Sequence, residues 1–303
     1  MPGSLQHVVV AGGSGLVGQH LVAALLREGT RVTVLSRSPG RAVPPAGALA
    51  LGWADLPRAL AGADAVINLC GEGMADRRWT GDRKKTLLAS RVGPTASLVR
   101  AMAALDPGPK VLVNASAVGI YGPRDGRPVD ESQGDGRGFL AQVCRQWEAA
   151  ADAAAGMRVV KLRLGVVLAR DGGALPKLAL PVRLCLGTRL GHGRQGFSWI
   201  HVDDLVRLVL EAAVNPSFQG PVNATSPMPV SNEAFTRALA RRLGRPLLPV
   251  PAWVTRLGIR ALLGQMGEEM LLEGAFVIPR QAERLGFVFR FPRLEAALTD
   301  LVP

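Results

Sequence analysis

Lysine, tyrosine and long apolar runs are all scarce in this sequence, and each scarcity narrows what the chain can be. No uninterrupted apolar stretch approaches the ~20 residues that a bilayer span requires. No membrane partner is therefore expected. The first periodic element begins near His7, which leaves no room for a secretion signal, so a cytoplasmic location is expected. Cys70, Cys144 and Cys185 lie far apart, without the C-x-x-C spacing of a zinc site or a redox dithiol. They read as small apolar residues in a reducing compartment, and no metal site is expected. Internal repeats and low-complexity tracts are also missing.

Charge needs more care, because 36 basic residues against 24 acidic ones leave a net +12. Only five of the basic residues are lysine, and the arginines are scattered among alanine, glycine and proline, as in a general compositional bias. The densest cluster, Arg77, Arg78, Arg83, Lys84 and Lys85, has Trp79 as its one aromatic. Such a cluster fits a solvated or phosphate-facing surface better than a nucleic-acid groove. The expected partner is a small molecule, with a homodimer as the ordinary assembly.

What is present is a strand, a glycine turn and a helix at the amino end. Val8, Val9, Val10 and Ala11 form a short apolar strand, and Leu16, Val17, Leu21, Val22, Leu25 and Leu26 mark an amphipathic helix. Between them Gly12, Gly15 and Gly18 recur every third residue, with Gly13 and Ser14 inside the turn. This is the pattern of a dinucleotide cradle: Gly12 permits a tight turn, Gly15 lets backbone N–H groups approach a pyrophosphate, and Gly18 allows close helix packing. The helix start adds unpaired N–H groups and a positive dipole end.

Arg31 to Arg37 reads as the second strand, whose end reaches the adenine ribose in such a fold. No acidic residue stands there to hold a 2′-hydroxyl; Ser36, Arg37 and Ser38 instead suit a 2′-phosphate. NADP(H) is expected over NAD(H), the alternative being that Arg37 is an ordinary surface residue. Residues 39 to 50 read as loop and Leu49 to Trp53 as a third strand, followed by a short helix to Leu60. Strands over Ala65–Gly71, Val111–Ser116, Arg158–Leu164 and Gly220–Ala224 alternate with helices near 81–105, 139–155 and 203–214, the last capped by Asp203. Residues 117–138 read as a long loop, 168–196 as lacking a long sheet element, and 245–303 as a mainly helical tail after a helix capped by Ser231. The fold class is α/β, a Rossmann doubly wound parallel sheet with a smaller, mainly helical C-terminal substrate domain. The expected division is a nucleotide domain over 1–168, completed by about 198–225, with 169–197 and 226–303 on the substrate side.

Further motifs carry a resemblance. Asn68-Leu69-Cys70-Gly71, Ala115-Ser116 with Gly119-Ile120-Tyr121-Gly122, and Trp199-Ile200-His201-Val202-Asp203-Asp204 join the glycine turn. Together they resemble the extended short-chain dehydrogenase/reductases. Arg78-Trp79 with Lys84 and Ser90-Arg91, Phe139-Leu140 with Cys144 and Trp147-Glu148, and Met270-Leu271-Leu272-Glu273-Gly274 with Val277-Ile278-Pro279-Arg280 resemble its atypical epimerase-like subgroup. The resemblance implies a nucleotide cofactor held also by Leu69, Cys70, Gly71, Ala115, Ser116, Cys144 and Leu164.

One departure stands out. The family's Tyr-x-x-x-Lys pair, in which lysine lowers the tyrosine pKa, is missing: the positions counted back from Glu148 hold Leu140 and Cys144, and the only tyrosine, Tyr121, is followed four residues on by Asp125. Ser116 is expected to hydrogen-bond substrate or cofactor, and Tyr121 to donate a proton or to sit at the rim. Arg163, Arg194, Gln195, His201 and Asn223 are expected to line a substrate pocket; His201 reads equally as a structural histidine beside Asp203. The implied activity is NADP(H)-dependent oxidation, reduction or epimerisation of a small carbonyl, carbinol or sugar-type compound, the alternative being a non-catalytic NADP(H)-binding regulator or scaffold.

Overall fold

Seven short segments with β-branched or aliphatic centres pair side by side into one sheet. In the computed structural model, which describes residues 5–41 and 44–303, these are β1 (His7–Ala11), β2 (Arg31–Ser36), β3 (Leu49–Gly52), β4 (Ala65–Asn68), β5 (Val111–Ala117), β6 (Arg158–Leu164) and β7 (Gly220–Ala224). All neighbours are parallel, in the order β7-β6-β5-β4-β1-β2-β3. The strand order reverses between β1 and β4, which opens a crevice at the carboxyl ends of the strands. Ala42 and Val43, within the expected loop, lie outside the described residues.

Side chains alternate across a strand, so Val8 and Val10 enter one core and Val9 and Ala11 the other. The first core is closed by α1 (Leu16–Arg27) and a later helix over Val202–Val214. The second is closed by α2 (Gly81–Ala103) and α3 (Phe139–Asp152). Because both faces are covered, the central strands β1 and β4 are buried along their whole length and near-continuously apolar instead of alternating.

β4 stops three residues before the expected Gly71. The Asn68 side chain accepts a hydrogen bond from the Cys70 amide at 3.1 Å, turning the chain as asparagine commonly does. Residues 168–196 contain a helix that prolines disguise in sequence, α4 (Ala174–Arg183), with Pro181 inside it. In the expected loop 117–138, Pro128–Val129 pairs in parallel with Phe276–Val277 of the tail. The helix over Val202–Val214 is α5, and Asp203 does not cap it. His201 does: its Nδ1 accepts from the Asp203 amide at 3.1 Å. The proton therefore sits on Nε2, 3.2 Å from Asp300 Oδ2, while the ring stacks on Phe291 at 3.9 Å. The remaining long helices are α6 (Asn232–Leu243), which Ser231 caps, α7 (Ala252–Leu263) and α8 (Leu294–Leu301). A third apolar cluster joins Leu175, Trp199, Phe235 and Leu298 from α4, the chain before α5, α6 and α8.

Replacing His201 removes a helix cap, worth ~1 kcal/mol, together with a ring contact of similar size. His201→Ala is expected to lose roughly 2 kcal/mol in urea unfolding, while His201→Asn, which can still cap, loses less.

Candidate active site

The glycine turn is shaped by close approaches. Gly12 has φ of +82°, and a Cβ there would lie 2.8 Å from the Leu69 carbonyl carbon. A Cβ at Gly18 would lie 2.4 Å from the Gly12 oxygen, so α1 can pack on the turn only through a glycine. At Gly15 a Cβ would meet nothing closer than the Gly12 oxygen at 3.4 Å, and this residue is exposed at the N-cap of α1 without a capping side chain. The first N–H groups of the helix are therefore open to an anion.

They border a cavity of about 320 Å³ at the carboxyl ends of β1, β4, β5 and β6. Gly12, Gly15, Leu16, Val17 and Gly18 line it, as do Leu69, Cys70 and Gly71 from the chain after β4. Ala115, Ser116, Cys144 and Leu164 complete the set of expected residues that the fold brings together. Gly13 lies instead under the Val34 side chain, and Ser14 is exposed. Ser36, Arg37 and Ser38 lie outside this wall at the end of β2. There the Ser36 hydroxyl accepts from the Ser38 amide at 3.1 Å, and Arg37, with 82% of its side chain exposed, stands 3.7 Å from Glu72. The Glu72 carboxyl is held below the usual carboxylate range first by its hydrogen bond from Arg83.

The residues expected to do chemistry are largely tied to one another. The Ser116 hydroxyl donates to Glu148 Oε1 at 2.7 Å, and Arg163 reaches both oxygens of the same carboxylate at 2.9 Å. Arg163 also donates to the Tyr121 hydroxyl at 2.9 Å, which donates to Asn223 Oδ1 at 2.8 Å. Asn223 in turn donates to the Ile278 carbonyl. All of these side chains are buried. Burial works against the Arg163 charge, but the bonds to Glu148 outweigh it and raise its pKa above the ordinary value. Three expectations are thereby corrected: Tyr121 is fully buried instead of overhanging the site, and Arg163 and Asn223 are not on the cavity walls, because their polar atoms are committed to this chain. Burial also pushes the Tyr121 phenol above its ordinary pKa, away from use as a base.

His201 is buried in its capping role and Arg194 is exposed away from both cavities, so neither lines a pocket. Gln195 does, on a second cavity of about 410 Å³ that shares Leu16, Met74, Ala117, Leu140 and Leu164 with the first. Burial pushes the Cys144 thiol up to about 11 and the Cys70 thiol up to about 12. The Cys144 thiol donates to the Ala117 carbonyl at 3.6 Å.

With this geometry in place, the chain can be set beside known proteins. Residues 8–224 match the NAD dependent epimerase/dehydratase family, and residues 250–301 match a domain of unknown function, DUF1731. An epimerase family protein of Mycobacterium bovis is 43% identical over 96% of each chain. The chain belongs to the epimerase family. The crystal structure of the human epimerase family protein SDR39U1 with NADPH superposes with a TM-score of 0.86 at 34% identity, covering 97% of this chain and 98% of that one. MoeE5, solved with UDP-glucose and NAD, shares the fold at 22% identity and a TM-score of 0.75, over 97% of this chain and 96% of that one.

Within this epimerase-family site, two buried groups, Glu148 and Arg91, are marked in the sequence only as motif members, without a role. Glu148 is signalled only by its motif with Trp147; its partners come from β5 and β6, 32 and 15 residues away. Arg91, 8% exposed on α2, lines the first cavity. Among the described residues its hydrogen-bond and ring partners are all neutral: the Leu87 and Glu72 carbonyls at 2.9 Å, the Ser90 hydroxyl, and the Trp147 ring at 5.3 Å. Burial pulls its pKa down. A buried cation with neutral partners on a cavity wall favours an anionic occupant.

Removing Glu148 strands the Arg163 charge, so Glu148→Leu is expected to cost about 3–5 kcal/mol in urea unfolding. Glu148→Leu combined with Arg163→Met should cost less than Glu148→Leu alone. Because burial raises its pKa to about 11, Cys144 is only about one part in a thousand thiolate at pH 8, rising tenfold per pH unit towards pH 11. Iodoacetamide labelling followed by peptide mass spectrometry should find Cys144 at least a hundredfold slower than free cysteine at pH 8.

Proposed function

We propose that the first cavity binds NADP(H) and that the protein is an NADP(H)-dependent oxidoreductase or epimerase-like enzyme acting on a small carbonyl or carbinol compound. The observation that carries the reading is the open N-terminus of α1, framed by Gly12, Gly15 and Gly18, at the point where the strand order reverses. Gly15 leaves room for a pyrophosphate against the helix amides, and Arg91 adds a cation to the same cavity. Ser36, Arg37 and Ser38 would receive the 2′-phosphate; Arg37 is exposed enough to leave Glu72 for a phosphate. The human relative solved with NADPH supports the same assignment.

When bound, the nicotinamide supplies or accepts a hydride at a carbon that is interconverted between carbonyl and carbinol. This chain's own residues orient and enclose. Ser116, held by Glu148, lines the first cavity, and Leu16, Ala117, Leu140 and Leu164 form an apolar wall shared with the second. The division of labour we propose gives 1–168 and about 198–225 to the nucleotide, and 169–197 with 226–303 to the substrate.

The second reading, a non-catalytic NADP(H)-binding regulator, is favoured by one observation. Leu140 and Cys144 occupy the positions of the usual Tyr and Lys, and a thiol near pKa 11 is not a base at neutral pH. NADPH consumption across a panel of aldehydes, ketones and sugar nucleotides separates the two: turnover with any of them supports the enzyme, and none across the panel supports the regulator. The cofactor itself is tested by fluorescence titration. NADPH is expected to bind at least tenfold tighter than NADH, with most of that preference lost in Arg37→Ala; equal binding of the two would overturn the NADP(H) assignment.

A further inference from the structure

The second cavity lacks what a nucleoside diphosphate sugar needs. A diphosphate is recognised by clustered cations or by free helix N–H groups. Among the described residues, the lining of this cavity holds a single cation, Arg137, and it is exposed. The nearby helix start, that of α3, is already occupied. Glu269 from the tail accepts the Phe139 amide at 3.0 Å and the Leu140 amide at 2.9 Å, so the chain's own carboxylate sits where a phosphate would dock.

Glu269 itself lines the cavity, and so does a second carboxylate, Glu273. No hydrogen bond or ion pair holds the Glu273 side chain among the described residues. Two carboxylates line this wall against one exposed arginine, and the nearby Arg256 and Arg260 act on Glu273 without lining the cavity, so no cluster of cations converges there on a dianion. The rest is mainly aliphatic or aromatic, with Val166, Leu178, Phe197, Met270 and Leu271 contributed from four separate stretches of chain. One further polar group waits for a partner. Gln195 donates to the Leu190 and Leu271 carbonyls, which leaves its buried side-chain oxygen without a donor.

We infer that the second cavity takes an apolar carbinol or carbonyl compound without phosphate groups, whose hydroxyl is received by the unpartnered oxygens of Glu273 or Gln195. This rests on the oxidoreductase reading only in that the two cavities share a wall, which would bring the reacting carbon to the cofactor. The preference itself comes from the lining. The raised pKa of Glu273, caused first by burial and then by Glu268 and Glu269, agrees with a site unsuited to added negative charge.

The test is calorimetric titration of the full-length protein, with and without saturating NADPH, using 4-phenylbutan-2-ol and UDP-glucose as probes. With NADPH filling the first cavity, the alcohol is expected to bind at least tenfold tighter than UDP-glucose. Met270→Arg places a cation on the wall at a partly exposed position; it should weaken alcohol binding at least fivefold and change NADPH affinity less than twofold. UDP-glucose binding as tightly as the alcohol, neither probe binding, or Met270→Arg leaving alcohol binding unchanged would each overturn the inference. If NADPH does not bind but the alcohol does, the cofactor reading fails and the cavity assignment stands; if NADPH binds and UDP-glucose is preferred, the reverse holds.

Discussion

The buried carboxylate of Glu148 is the point on which the crevice depends. It sits on α3, yet its hydrogen bonds are to β5 through Ser116 and to β6 through Arg163, and Arg163 passes the connection through Tyr121 to Asn223 on β7. A charge out of water is costly unless its partners are well placed. Here the partners come from two strands, with a third reached through Tyr121, so the favourable geometry exists only when those strands and α3 hold their proper spacing. Groups that sequence reasoning associates with proton transfer serve instead as ties between elements.

A second network does the same one layer away. Asn68 donates to Thr95 and to Asn114, and the Trp147 indole donates to Thr95, joining β4, α2, β5 and α3 beneath the first cavity. The floor of the cavity is thus polar inside and fully bonded, while its walls are mainly apolar. Arg91, packed against Trp147 and beside Gly71, is the charged exception, and its hydrogen bonds are to carbonyl and hydroxyl oxygens instead of a carboxylate.

How much of this the sequence carried follows from the range of each interaction. Gly12, Gly15 and Gly18 declare themselves because a local backbone demand, a turn followed by a packed helix, is written in local spacing. The parallel sheet is equally legible, since its central strands, covered on both faces, read as near-continuous apolar runs. The roles of Arg163, Asn223 and His201 are not, because position at a strand end does not say which neighbour a side chain will meet. Asp203 had the residue type and place of a helix cap, but the His201 ring was already fixed there by Phe291 and took the role. Glu269 and Gln195 were opaque for another reason: their partners depend on how the tail returns over α3, a separation of more than a hundred residues in the case of Glu269.

That return has a consequence for the order in which the molecule is completed during synthesis. The first cavity is bounded entirely by residues up to Leu164, whereas the second needs Glu269, Met270 and Ala275, and the strand pair that anchors them needs Phe276 and Val277. A chain emerging amino end first can complete the sheet, with α5 and β7 in place, while residues 226–303 are still to come. The neighbouring chamber cannot close until almost the whole polypeptide has left the ribosome. The walls of the first cavity are thus complete in a nascent chain that still lacks those of the second.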